Sequence, residues 1–334
     1  MNDVFSKHGF KSPVLMLAPM EGITNHLFRN LFIKNPGVDF VATEFIRITT
    51  SRQKLKPFNR HSVPLQIQVM SARPEELQAC IEFLKNRKVL LDDDWLDLNV
   101  GCPSKRVNAS GAGAALLLEP NKLVDMAKRM REVHPGPLSI KTRVGYQSDE
   151  NYSTILDALA TCPIDFVSIH ARTKCAGYTS PVNLKYLKQA VARLPFPVIG
   201  NGDIWTVNDA LQMLEETGVR GLMCGRGAVS NPFLMTEISA SIQGQSFKVS
   251  HEKLVEFFFE LLKTYQLADG DKPKRLGVFK EFTTWFCRHP LVGKELFQRI
   301  KRKAAYADIY DAAMEYFYLA NQIETKSAQI RLAY

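Results

Sequence analysis

The chain lacks the usual marks of several protein classes. None of its six cysteines (Cys80, Cys102, Cys162, Cys175, Cys224, Cys287) form a C-x-x-C pair, and no two histidines have metal-ligand spacing. A zinc site is therefore not expected, and six scattered thiols in 334 residues are no disulfide framework. No metal ligand set is assigned. No apolar run approaches the roughly 20 residues that span a bilayer. The opening "MNDVFSKHGFKSP" has no apolar core and no small-residue cleavage site. These features lead us to expect a soluble cytoplasmic protein with no membrane partner. There is no G-x-G-x-x-G after the first apolar run, no low-complexity tract and no internal repeat beyond a strand–helix alternation.

Hydrophobic residues make up 46% of the chain, enough for a large core. Net charge is +9, unevenly placed. Residues 272–303 hold ten Lys or Arg against two acids, Glu281 and Glu295. Such asymmetry points to an anionic partner, nucleic acid or membrane surface, unless it is only a solvated helix face.

Eight short apolar runs recur: "VLMLAPM" (14–20), "DFVATEF" (39–45), "PLQIQVM" (64–70), "WLDLNVG" (95–101), "LSIKTRV" (138–144), "DFVSIHA" (165–171), "PVIGNGD" (197–203) and "GLMCGRG" (221–227). Amphipathic stretches separate most of them, at 25–33, 74–87, 121–133, 152–160, 184–193 and 207–216. Pro74 and Pro120 suit helix starts and Gly218 a helix end. Eight strand–helix units predict a closed (β/α)8 barrel. Beyond about residue 245 only helical periodicity remains. The expected organisation is therefore a barrel over residues 1–245 and a small all-α domain over 246–334, the basic stretch lying in the latter.

A barrel keeps its chemistry at the C-terminal ends of its strands. Those ends here carry Glu21; Gln68; Asn99 and Cys102; Lys141 and Arg143; His170 and Arg172; "GNGD" (200–203); and "GRG" (225–227). Glycine-rich loops after the seventh and eighth strands suit a phosphate, with Arg226 adding charge. A phosphate there, with Lys141 and Gln68 facing the mouth, suits a flavin mononucleotide. Cys102 could be a nucleophile or a proton donor, and spacing alone does not choose.

The strings "LNVGCPSKRVNASGAGAALL" (98–117), "APMEGIT" (18–24), "IKTRVG" (140–145), "IHARTK" (169–174), "IGNGDI" (199–204) and "CGRGA" (224–228) occur in the order found in the tRNA-dihydrouridine synthases, which the chain resembles over nearly the whole barrel. These are flavin-dependent enzymes that reduce uridines in tRNA. "HARTKCAGY" and "GKELFQRIK" look most like the bacterial C branch, which reduces uridine 16. The resemblance implies a proton-donating Cys102. It implies FMN contacts from Pro19, Met20, Glu21, Gln68, Lys141, His170, Asn201, Gly202, Asp203, Gly225 and Arg226. It also implies substrate contacts from Asn99, Arg143 and Tyr178. NADPH or NADH would be the reductant. Lys272, Lys274, Arg275, Arg299, Lys301, Arg302 and Lys303 would hold the tRNA backbone, and a monomer is the default. Two other readings stay open: a flavin enzyme acting on a free pyrimidine, and a non-redox RNA-binding protein on a barrel scaffold.

Overall fold

The computed structural model describes residues 3–48, 58, 60, 63–270 and 272–331, with side chains through Tyr318. Strands form where the apolar runs lie: β1 (Val14–Leu17), β2 (Phe40–Ala42), β3 (Ile46–Arg47), β4 (Leu65–Met70), β5 (Trp95–Val100), β6 (Leu138–Arg143), β7 (Phe166–His170), β8 (Val198–Asn201) and β9 (Gly221–Cys224). All pairings are parallel. β1 pairs with both β2 and β9, and β2 pairs with β4, which closes the ring into an eight-stranded barrel. The two-residue β3 has no counterpart among the eight expected runs. It arises because the chain leaves β2 at Thr43 and then rejoins the same neighbour further along, with Ile46 opposite Val69 and Arg47 opposite Met70. The Thr43 hydroxyl bridges this gap by accepting from the Gln68 N–H at 3.0 Å.

The six expected helices form within a residue or two of the predicted limits, Pro74 and Pro120 each opening one. Gly218 ends the helix Val207–Thr217 with φ +68°. Two short elements follow Cys102 that periodicity does not reveal: a helical turn at Lys105–Asn108 and a 3-10 segment at Gly113–Leu118.

Residues of alternating parity point into the barrel, and their character changes along its axis. At the N-terminal end Phe40, Trp95 and Phe166 fill the interior, and the helix Val4–Lys7 plugs it with Phe5, whose ring stacks on Trp95 at 5.7 Å. One layer up lie Gln66, Asp97, Ser139 and Ser168, all buried. Strand register then brings Asn99 opposite Lys141 and His170 opposite Asn201 at the C-terminal end. An apolar floor thus supports a polar layer, and the C-terminal mouth above it opens to solvent.

Beyond the barrel come helices Leu234–Ile242, His251–Asp269, Leu276–Phe286, Lys294–Ile300 and Tyr306–Arg331. Residue 245 falls in the helix-free segment before His251. Phe28 of the helix His26–Phe32 meets Phe257 at 6.1 Å and Phe282 at 5.8 Å, and Phe233 meets Phe257 at 6.2 Å, so barrel and helical region share apolar packing. The helix Leu276–Phe286 reaches the barrel mouth, where Glu281 and Trp285 line the cleft. Among the described residues no helix is long and apolar enough to cross a membrane.

Candidate active site

The mouth holds a cleft of about 400 Å³. Cys102 lies on its wall in the turn after β5, and its loop is tied down from two sides. Asn99 Oδ1 accepts from the Cys102 N–H at 2.9 Å and from the Gly101 N–H at 3.1 Å. Asn108 Nδ2 donates to the Cys102 carbonyl at 2.9 Å, and Ala114 N–H donates to the same oxygen at 3.2 Å. Gly113 has φ +61°, and a Cβ there would stand 2.9 Å from Val107 Cγ1 and 3.1 Å from Cys102 Cβ, so glycine is required both for backbone and for space. The turn at Cys102 is therefore shaped by Asn99, Asn108 and Gly113. Gly101 has no positive φ, and a Cβ on it would meet only ordinary contacts.

Beneath Asn99 runs a directional chain. Asn99 Nδ2 donates to Gln68 Oε1 at 2.8 Å, and Gln68 Nε2 donates to Asp97 Oδ2 at 2.7 Å. The Ser139 hydroxyl donates to Asp97 Oδ1 at 2.6 Å. An ionised carboxylate only accepts and a backbone N–H only donates. Both ends therefore impose the same orientation on the two amides between them. Burial pushes the Asp97 carboxyl up to about 6, while its bonds to Ser139 and Gln68 and the Lys141 charge hold it down. It is a carboxylate at neutral pH. Gln68 is fully buried below Asn99 and does not line the cleft.

Burial also raises the Cys102 thiol, and Glu21 adds to this; the Ser104 backbone N–H, Arg143 and Arg47 offset it in part. The group is a thiol rather than a thiolate near pH 7, and no histidine is bonded to it among the described residues. Lys141 is held down to about 8, first by burial and then by Arg143. Its Nζ donates to Asn201 Oδ1 at 3.2 Å. Arg143 is buried, donating from Nε to the Gly101 carbonyl at 2.8 Å and from Nη1 to the Thr173 carbonyl at 3.0 Å. Burial and the four cations Arg143, Lys141, Arg172 and Arg226 hold His170 well below its ordinary value, so its ring is neutral. Its Nε2 is buried with no hydrogen-bond partner among the described residues.

The loops after β8 and β9 meet at Asp203, whose carboxylate accepts from buried Arg172 through both oxygens and from Arg226 Nη2 at 2.9 Å. Gly202 at φ +125° admits no side chain, since a Cβ would lie 2.5 Å from Val182 Cγ1 and 2.9 Å from the His170 ring.

The cleft thus brings together Pro19, Met20, Glu21, Asn99, Cys102, Lys141, Arg143, His170, Tyr178, Asn201, Gly202, Asp203, Gly225 and Arg226. Of the side chains singled out in the sequence for its chemistry, Gln68 stays beneath it and Arg172 lies behind it, buried against Asp203. The sequence did not single out Phe45, Trp205, Glu281 and Trp285, which also line it. A usable signal existed for the tryptophans: the chain has three, and Trp205 directly follows "GNGDI". The basic residues divide. Arg275 is bound to Asp269 at 2.5 Å and Arg299 to Glu295 at 2.9 Å. Lys301 donates to Gln298. The side chains of Lys272, Lys274 and Arg302 are exposed with no bond to the protein among the described residues, and Lys303 is partly exposed.

A family model described as dihydrouridine synthase matches residues 16–313. The tRNA-dihydrouridine(16) synthase of Shewanella oneidensis is 34% identical over 242 residues, covering 67% of this chain and 74% of that protein. The one from Haemophilus ducreyi is 33% identical over 309 residues, 88% and 92% of the two chains. That of Vibrio parahaemolyticus is 29% identical over 336 residues, 95% and 99%. Among solved structures, morphinone reductase superposes with a TM-score of 0.47 at 9% identity, covering 71% of this chain and 87% of that one.

Proposed function

The chain belongs to the dihydrouridine synthase family, and we propose that it reduces a uridine of tRNA to 5,6-dihydrouridine with a bound flavin. Relatives named for position 16 align along nearly the whole chain, which supports uridine 16 as the target. The observation that carries the reading is a half-buried thiol, its loop fixed by Asn99 and Asn108, beside a cleft lined by Lys141 and by His170, whose Nε2 has no partner among the described residues. We take FMN as the flavin, NADPH as its reductant and the cytoplasm as the place of action. We assign catalysis to a barrel of residues 1–245, tRNA binding to residues 246–334, and monomer as the working state.

The residues fit a flavin nucleotide. Lys141 Nζ and the unpartnered His170 Nε2 offer hydrogen-bonding atoms to a polar heterocycle. Gly202, Asp203, Gly225 and Arg226 place backbone N–H groups and a guanidinium together for a phosphate. When bound, reduced flavin supplies the hydride that uracil C6 receives. Cys102 holds the matching proton on Sγ and gives it to C5. A thiolate remains, and solvent reprotonates it. The raised thiol pKa favours this role over nucleophilic attack. Arg143 braces the Gly101 carbonyl and Asn99 the following N–H groups, so Sγ keeps a fixed aim. The uridine has to leave its stack to enter the cleft. Exposed Lys272, Lys274, Lys301 and Arg302, with Lys303, suit phosphates, which position RNA without reading its sequence.

The test is incubation of the purified protein with FMN, NADPH and either a tRNA transcript or free uridine. The expected result is dihydrouridine in the transcript alone. Reduction of free uridine at a comparable rate would support a free-pyrimidine enzyme. Reduction of neither, with no flavin bound, would support a non-redox RNA-binding protein.

A further inference from the structure

The rim of the cleft carries a stack of rings and guanidinium groups that proton and hydride delivery does not use. Tyr178 and Trp205 come from the loops after β7 and β8, Arg226 from the end of β9, and Trp285 and Arg288 from the helical region. The Arg226 guanidinium lies 4.2 Å from the Tyr178 ring centre, 5.3 Å from Trp205 and 5.7 Å from Trp285. The two indoles are 6.4 Å apart with a 34° tilt, and Arg288 caps Trp285 at 4.0 Å. Glu281 precedes Trp285 by four residues on one helix, so the two share a face, and both line the cleft. The Glu281 carboxylate is exposed and accepts no hydrogen bond among the described residues.

A clamp serving only to join barrel and helices would be buried. This stack is not: Tyr178 is 53% exposed, Arg288 is exposed, and both indoles keep one side open to the cleft. Alternating rings and guanidinium planes are the surface on which unstacked nucleobases settle. Glu281 is out of place in a site for a polyanion unless it receives a donor. A carboxylate only accepts, so it selects a base edge rich in N–H groups. Guanine, with N1–H and N2–H2 side by side, fits it in two-pronged fashion.

We propose that Trp285 and Glu281 form a second subsite, for the nucleotide adjacent to the target uridine. Trp285 stacks its base and Glu281 accepts from its N–H edge, with guanine the preferred base. The inference rests on the tRNA reading above.

The experiment uses tRNA transcripts in which the neighbour on the 5′ or the 3′ side of the target is changed to each base in turn. Wild type, Trp285→Ala, Trp285→Phe and Glu281→Gln are compared by kcat and KM for dihydrouridine formation, with melting temperature as the check on folding. Trp285→Ala should raise KM about ten-fold with a smaller change in kcat, the scale of one lost base stack. Trp285→Phe should retain most of the affinity. Wild type should prefer guanine on one side by about ten-fold or more, and Glu281→Gln should erase that preference. An unchanged KM in a folded Trp285→Ala, or the same base preference in Glu281→Gln, would overturn the subsite. If Trp285→Ala does not fold, Trp285→Phe and Glu281→Gln decide alone. A wild type that forms no dihydrouridine in any transcript defeats the parent reading instead.

Discussion

Replacing Asn99 by aspartate exchanges one NH2 for an oxygen and little else. The oxygen facing the Cys102 loop continues to accept both N–H groups. The other now confronts Gln68 Oε1, where the native distance is 2.8 Å. Turning Gln68 over moves the conflict to Asp97, 2.7 Å away in the native chain. Between two carboxylates a single amide cannot satisfy both ends, so the chain of bonds is restored only by binding a proton. Supplying it costs about 1.4 kcal/mol for each pH unit above an ordinary carboxyl pKa of ~3.9. That is about 5 kcal/mol at pH 7.5 and about 2 kcal/mol at pH 5.5, the former near the ~3–5 kcal/mol of an uncompensated buried charge. The variant's carboxyl is raised in the fold, so its penalty grows with pH above its unfolded value and fades toward acid. Urea titrations of wild type and Asn99→Asp at both pH values measure this. The expected loss is larger at pH 7.5 by roughly 2–3 kcal/mol. Equal stability of the two proteins, or a loss independent of pH, would refute the polarity argument.

Three further outcomes follow from the site. Lys141 is held down to about 8, chiefly by burial, so its charged form destabilises the fold below pH 8, and this cost is relieved between about 8 and the ordinary 10.5. Lys141→Met should therefore melt higher than wild type at pH 7, lose that advantage as pH rises through this window, and bind FMN more weakly in a fluorescence titration. Gly113→Ala forces a side chain into a left-handed conformation costing roughly 1–2 kcal/mol and against Cys102 Cβ; its melting temperature should fall, and dihydrouridine formation should slow because the thiol is displaced. The double substitution of Lys272 and Lys274 by alanine should flatten the salt dependence of tRNA binding by about two units of slope, and an unchanged slope would remove the pair from the interface.

The barrel was legible because each strand is a short apolar run closed by turn chemistry, and its end is where polar residues accumulate. What the sequence hides is partnership. Gln68 reads as a group facing the mouth, and in three dimensions both ends of its amide are bonded to Asp97 and Asn99. Arg275 and Arg299 read as free cations, yet each has a carboxylate at hand, and charge counting does not show which cations are already paired. Trp285 and Glu281 lie far along the chain from the barrel motifs and reach the cleft through tertiary packing, Phe282 on Phe28 and Trp285 beside Trp205. Strand β3 was missed because its two residues are too few to show alternation. The Phe5 plug was missed because a four-residue helix has no readable period.

The account turns on the proton of Cys102, and one measurement addresses it directly. Cys102→Ala is loaded with FMN, reduced with NADPH, and mixed with tRNA in a single turnover while flavin absorbance and dihydrouridine are both followed. The prediction is normal reduction of the flavin by NADPH, tRNA affinity near wild type, and reoxidation by tRNA slowed by about 100-fold or more, the scale of a lost general acid. Reoxidation and dihydrouridine formation at close to the wild-type rate would contradict it.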